Sequence, residues 1–295
     1  MISRVETTTD RATSQPPIVT VGAQIRRQVT EAQRAGLRVG VVPTMGALHD
    51  GHLSLVNVAR DECDVVVATV FVNPTQFGPG EDFDNYPRNL DRDATLLAAR
   101  GCDYLFAPHD AEIYPDGYET TVDVGDVARP FEGAHRPVHF AGVATVVLKL
   151  LNLVPAHVAY FGQKDYQQTL VIKRMVADLN VPTEVMVCPT IREPDGLAMS
   201  SRNAYLSEGE RRQAAGVHAS LQLAKHKVGE GERNTAALSQ VMCKHLDELG
   251  GIELDYIAFV RSGTVEEVET VDGATVALIA ARVGNTRLID NLEII

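Results

Sequence analysis

The 295-residue sequence is short of three things, and each shortage removes a class of function. Cysteine is sparse: Cys63, Cys102, Cys188 and Cys243 lie far apart, with no C-x-x-C pair. That spacing argues against a zinc ribbon and against a disulfide framework, leaving reduced core thiols as the expectation. Positive charge is in deficit, with 27 Lys and Arg against 39 Asp and Glu and a formal net charge of -12. A nucleic-acid partner normally demands a basic face that displaces counterions, so a small-molecule substrate is expected instead. Long apolar runs are missing too, with no window of about 18 apolar residues. The N-terminus is a polar Thr/Arg/Asp stretch without the apolar core of a leader. Together these predict a soluble, cytoplasmic chain with no membrane partner.

What is present is a globular balance, 45% hydrophobic and 22% charged. Residues 1–17 offer little to bury and read as a flexible arm. The pattern then alternates between strand and helix: strands at 38–42, 65–72, 102–106, 158–161 and 184–187, with helices at 52–62, 90–100, 141–153 and 167–179. Such alternation predicts a parallel sheet covered by helices, with ligands at the C-terminal strand ends. After Pro189-Thr190 the composition shifts to helices at 207–225 and 234–249 and strands at 254–260, 275–281 and 287–292, the pattern of a smaller α+β domain. The expected division is therefore 18–190 and 191–295.

The segment Pro43-Thr44-Met45-Gly46-Ala47-Leu48-His49-Asp50-Gly51-His52 runs from a strand through a turn into a helix start, with His49 and His52 three apart. A helix N-terminus presents unpaired N–H groups and a partial positive charge, which suits phosphate, and two imidazoles beside it would strengthen that pocket. Taken alone, the pair reads equally well as two surface histidines. A metal site would need a further ligand; His135 and His139 lie downstream, but no Glu or Cys completes a recognised zinc spacing.

Other blocks carry polar groups of matching kind. Asn73 and Gln76 offer amides after the next strand, with Phe77 and Met45 as an apolar wall, although Asn73-Pro74 alone is also an ordinary turn. In Gly162-Gln163-Lys164-Asp165-Tyr166-Gln167-Gln168, Lys164 can neutralise phosphate oxygens and Asp165 can accept from ribose hydroxyls; a helix cap beside a solvated lysine is the plainer alternative. The run Asp195-Gly196-Leu197-Ala198-Met199-Ser200-Ser201-Arg202-Asn203 sets two hydroxyls and a guanidinium on a glycine-containing loop at the domain joint, where a capped linker would also fit.

The H-x-G-H turn resembles the signature of the nucleotidylyltransferase superfamily. The longer string from Pro43 to His52 and the other blocks, in order and spacing, resemble the pantothenate synthetase (pantoate–β-alanine ligase) family. The resemblance implies a Rossmann-like sheet with a smaller C-terminal lid domain, and a homodimer formed through the N-terminal domain. It implies an ATP-dependent ligase that adenylates pantoate and passes the pantoyl group to β-alanine, with Mg²⁺ accompanying ATP. By the same resemblance Met45, His49, His52, Gly162, Lys164, Asp165, Ile191, Met199, Ser200, Ser201 and Arg202 bind ATP. His49, His52, Lys164 and Ser200 to Arg202 would carry the catalytic charge stabilisation. Gln76, Gln168, Asn73, Phe77, Arg136, His139 and Val143 bind pantoate, with Val146 and Val147 beside Val143, and Asp93 reaches Mg²⁺. One departure is visible: Gln163 stands where the family block has glutamate. No residue has the signature of a general base for the β-alanine amine. Two rivals share parts of the pattern, a nucleotidylyltransferase that stops after nucleotide transfer and a nucleotide-binding regulator without turnover.

Overall fold

The computed structural model describes residues 15–295, so most of the expected arm at 1–17 lies outside the described residues. In chain order the elements are β1 (Ile18–Val19), α1 (Gly22–Arg34), β2 (Val39–Thr44), α2 (Asp50–Glu62), β3 (Val65–Val70), α3 (Leu90–Ala98), β4 (Tyr104–Phe106) and α4 (Asp110–Ile113). They continue with α5 (Glu132–His135), α6 (His139–Leu153), β5 (Val158–Gly162), α7 (Tyr166–Asp178) and β6 (Glu184–Cys188). The C-terminal stretch holds α8 (Glu208–Gly229), α9 (Thr235–Leu249), β7 (Ile252–Arg261), β8 (Thr275–Val283) and β9 (Thr286–Glu293).

The chain forms two compact units. The first takes the residues up to Asp123 with Ala141–Phe161 and Met175–Cys188; the second takes Val124–Phe140, Gly162–Arg174 and Pro189–Ile295. The sequence pattern places one joint at 190/191, whereas by packing the segments 124–140 and 162–174 group with the C-terminal residues.

The first unit is built on the expected parallel sheet, with β1 as a sixth strand beyond the five expected, in the order β1-β4-β3-β2-β5-β6. β2 is central and its Val39, Val41 and Val42 are fully buried, because helices cover both faces of a parallel sheet. Leu53, Val56 and Ala59 of α2 and Leu97 of α3 complete one core layer with Val66 and Leu105. β2 pairs with β3 in register through Thr44 and Val70, so their loops leave the sheet at the same edge. α1 is not among the expected helices; its Ile25 and Val29, one turn apart, are fully buried and are the signal that marks it. The four cysteines are free. Burial pushes the Cys102 thiol up to about 12 and raises Cys188, which keeps both as inert core groups.

The second unit carries the antiparallel sheet β7-β8-β9. Val217, Leu221 and Ala224 of α8 and Leu238 and Met242 of α9 pack on Phe259, Ala277 and Ile279. Ser207 and Glu210 close a capping box on α8, and the Asn234 side chain accepts from Ala237 N–H at 2.9 Å to start α9.

Candidate active site

In the first unit the turn after β2 is held at almost every residue. The Thr44 hydroxyl donates to the Thr69 carbonyl at 2.6 Å and accepts from Gly46 N–H at 3.1 Å. Gly46 has φ +83°, and a Cβ there would stand 3.0 Å from Val70 Cγ1 and 3.1 Å from Asp93 Oδ2. Ala47 follows with φ 51°, a left-handed conformation costing a residue with a Cβ about 1–2 kcal/mol. The turn delivers His49 as the N-cap of α2, its Nδ1 accepting from Gly51 N–H at 3.1 Å. With Nδ1 so used, the neutral ring carries its proton on Nε2, which becomes a donor. The His49 and His52 rings lie 4.1 Å apart between centroids. The structure therefore brings the two histidines together at a helix N-terminus, the geometry that attracts an anion.

The Asn73–Phe77 block stands beside this turn: Gln76 Nε2 lies 3.1 Å from the Met45 sulfur. Asn73 is 1% exposed, and both ends of its amide are engaged inside the unit. Its Nδ2 donates to Gln76 Oε1 at 3.0 Å and to the Gly142 carbonyl at 3.1 Å. Its Oδ1 accepts from the Tyr114 hydroxyl at 2.7 Å and the Thr75 hydroxyl at 2.9 Å. Asn73 thus fixes which way the Gln76 amide points, with the oxygen held and the NH₂ end turned toward Met45. Gly142 of α6 permits this packing, since a Cβ there would collide with the Thr75 carbonyl. Val143, Val146 and Val147 follow it, all buried. Phe77 packs its ring edge-on against Phe83 and Tyr86, at 5.4 and 6.0 Å between centroids.

Asp93 corrects an expectation. It is 1% exposed in the first turn of α3, and its two oxygens accept from Ala47 and Leu48 N–H at 2.9 Å each. A carboxylate buried and engaged in this way does not fit an Mg²⁺ ligand, which must reach a hydrated ion and phosphate oxygens. Among the described residues no group of three or more His, Cys, Asp or Glu is arranged to hold a metal. Burial raises the Asp93 carboxyl above its ordinary value, outweighing the two backbone N–H groups and Arg92, which pull the other way.

The second unit holds the remaining expected residues in three places. At the start of α7, Gly162 precedes a single tight turn in which Lys164 Nζ lies 3.3 Å from Asp165 Oδ1. Asn291 of β9, 4% exposed, clamps this turn by donating to the carbonyls of Gln163 and Lys164 at 2.9 Å each. Gln163 enters that clamp through its backbone, so the replaced glutamate costs the turn nothing there. Gln168 is half-buried on α7, while its neighbour Gln167 is buried and pins the preceding segment, donating to the carbonyls of Val127 and Pro130 and accepting from Glu132 N–H.

That segment carries Arg136 and His139. Arg136 N–H donates to Glu132 O at 2.8 Å and His139 N–H to Arg136 O at 2.9 Å. Glu132 is itself anchored: Arg287 of β9 donates to it through both Nη atoms, at 2.6 and 2.7 Å, and the Tyr256 hydroxyl donates at 3.0 Å. Burial pulls the Glu132 carboxyl up, but the Arg287 hydrogen bonds and charge and the Tyr256 hydroxyl together hold it below the ordinary range. Glu132, Gln167, Arg287 and Asn291 were all missed in the sequence. Asn291 had a signal, a polar Asp290-Asn291 pair inside an apolar strand; Glu132 and its partner, 155 residues apart, had none.

The loop 191–199 folds back on itself through Met199 N–H to Ile191 O at 3.0 Å, and Arg192 makes a two-pronged ion pair with Asp290, at 2.6 and 3.0 Å. Arg211 of α8 binds Glu193 and Asp195. Ser200 caps the short turn that follows, its hydroxyl accepting from Arg202 N–H at 3.3 Å, so Ser200, Ser201 and Arg202 start from a fastened base.

Residues 17–293 match the family model described as Pantoate-beta-alanine ligase. The pantothenate synthetase of Roseiflexus castenholzii is 54% identical over 262 residues, covering 88% of this chain and 94% of the relative. That of Moorella thermoacetica is 50% identical over 270 residues, covering 92% and 95%. Among solved structures, pantothenate synthetase from Thermus thermophilus aligns with TM-score 0.88 at 46% identity, over 94% of this chain and 99% of that one. Pantoate-beta-alanine ligase from Francisella tularensis, solved in complex with Beta-gamma ATP and Beta-alanine, aligns with TM-score 0.80 at 35% identity, over 95% and 98%.

Proposed function

The chain belongs to the pantoate–β-alanine ligase family, and from that premise we propose how its residues carry out the ligation. It is a ligase that joins pantoate to β-alanine at the expense of ATP. A pantoate carboxylate oxygen attacks the α-phosphorus of ATP, pyrophosphate leaves, and pantoyl adenylate forms. The neutral amine of β-alanine then attacks the acyl carbon, and AMP departs with the pair of electrons from the broken C–O bond. The observation that carries this reading is the paired His49 and His52 at the N-terminus of α2, rings 4.1 Å apart.

In this scheme His49 and His52 donate to phosphate oxygens as charge grows on them, with Met45 beside the nucleotide. Lys164, Ser200, Ser201 and Arg202 do the same by their family roles, while Gly162, Asp165, Ile191 and Met199 contact the nucleoside. Donors aimed at developing charge act most strongly in the transition state. Gln76, its NH₂ end oriented by Asn73, donates to a pantoate oxygen, and Gln168, Arg136 and His139 complete the polar contacts. Val143 and Phe77 face the methyl-bearing side. Asn73, with its amide already engaged, acts through Gln76. Residues 191–295 act as the lid domain, with the loop at Ser200–Arg202 shielding the adenylate from water. Mg²⁺ would accompany the ATP phosphates and neutralise part of their charge. The working state is a cytoplasmic homodimer.

Pyrophosphate and AMP release from Mg-ATP with pantoate, with and without β-alanine, tests the reading, using Lys164→Ala as control. Pantoate alone should give a stoichiometric burst of pyrophosphate, and β-alanine should convert it to steady AMP formation. No response to pantoate would remove the substrate assignment.

A further inference from the structure

Two consecutive residues of the turn after β2 are left-handed, Gly46 at φ 83° and Ala47 at φ 51°. A non-glycine residue stays in that region only where its surroundings over-determine it. The surroundings here are two neighbours on α3. Asp93 Oδ2 and Oδ1 receive the N–H groups of Ala47 and Leu48 at 2.9 Å each, and Arg92 Nη1 donates to the Leu48 carbonyl at 3.0 Å. The grip has a rigid base, since the Asn89 side chain caps α3 by accepting from Arg92 N–H at 3.1 Å. The residue after Leu48 is His49, the N-cap of α2, so any slip in the clamped turn moves His49 and the first N–H groups of the helix together.

We propose that Asp93 is a positioning residue, gripping the left-handed turn from the buried first turn of α3 and thereby setting the placement of His49, His52 and the N-terminus of α2. It touches neither substrate nor metal. The inference rests on the reading above for the task those groups perform. The carboxylate is needed because each of its two oxygens accepts a different N–H, whereas an amide of the same shape sets a donor NH₂ at one of those two positions. The effect falls on the half-reaction in which charge develops on phosphate, and the later capture of the adenylate by an amine is spared.

The test compares wild type, Asp93→Asn and Arg92→Ala by three readouts: amide hydrogen exchange across residues 45–52, the rates of the two half-reactions, and the Mg²⁺ concentration for half-maximal rate at fixed ATP. In Asp93→Asn the expectation is faster exchange confined to that segment and a pyrophosphate burst slowed by about a hundredfold, as misplacement by about 1 Å can do. β-Alanine capture of preformed adenylate and the Mg²⁺ midpoint should stay at wild-type values. Arg92→Ala, on a half-exposed side chain, should show the same pattern more weakly and decides the matter if the first variant does not fold. Wild-type exchange in both variants overturns the proposal, as does an equal slowing of both half-reactions or an Mg²⁺ midpoint that moves with the burst rate. If wild-type protein itself gives no pyrophosphate with pantoate, the functional reading fails, and the exchange data still decide whether Asp93 holds the turn.

Discussion

Two buried carboxylates, one in each unit, hold the segments that carry the expected site residues, and they do so by opposite means. Asp93 binds backbone N–H groups, and burial leaves its carboxyl raised. Glu132 is buried as well, but a two-pronged Arg287 and a tyrosine hydroxyl bring its carboxyl below the usual range. The first clamp spans less of the chain, tying α3 to a turn 45 and 46 residues away, while the second joins positions 155 apart. The difference teaches what each segment needs. A strained turn needs acceptors for particular N–H groups, whereas a long irregular segment needs one strong anchor that fixes it to a sheet.

The comparison breaks most visibly at the ion pair. Arg287 also donates through Nε to the half-buried Asp255 at 2.6 Å, so Arg287→Ala strips the cation from both that residue and the buried Glu132, and the expected loss is about 3–5 kcal/mol, read by urea unfolding. Asp93→Asn leaves one buried N–H without an acceptor and should cost less, about 1–3 kcal/mol by the same measurement. A loss in Asp93→Asn larger than in Arg287→Ala would reverse the ranking of the two clamps.

Acid sharpens the contrast, because the two groups respond with opposite sign. Glu132 has a lowered folded value, so its stabilisation is present above the unfolded value of 4.5 and is lost as pH falls through the folded one. Asp93 has a raised folded value, so the native state binds its proton more readily, and the stability this gives is present below 3.8 and lost as pH rises through the folded value. Urea midpoints measured down the acid range should show the gap between wild type and Glu132→Gln shrinking as pH falls, while the gap between wild type and Asp93→Asn shifts in favour of wild type. Parallel gaps would mean that the two carboxylates do not differ as described. The smallest effect is expected at Gln163→Glu: since Asn291 grips the backbone of that turn, stability should change by no more than about 0.5 kcal/mol.

Much of this was legible in the sequence where the information is local. The strand-turn-helix grammar around Val39–Glu62 and the short blocks at His49, Gln76, Lys164 and Ser200 each lie within a few residues, and each block sits on a turn or at a helix start. α1 escaped because only Ile25 and Val29 of its thirteen residues mark its apolar face strongly. Asp93 was misread because an acid in the first turn of a helix ordinarily faces water, and only the tertiary fold brings it under Ala47 and Leu48. Glu132 and Arg287 were invisible for the same reason, since a side chain's partner far along the chain leaves no mark on its own neighbourhood, whereas Asn291 left only the polar Asp290-Asn291 pair.

The central claim, that pantoate is activated as an adenylate, meets its most direct test in oxygen-18. With pantoate labelled in both carboxylate oxygens, ATP and β-alanine, the account predicts that one labelled oxygen appears in the phosphate of AMP and the other in the amide carbonyl of the product. Formation of ADP with the label in inorganic phosphate, or AMP carrying no label, would contradict it.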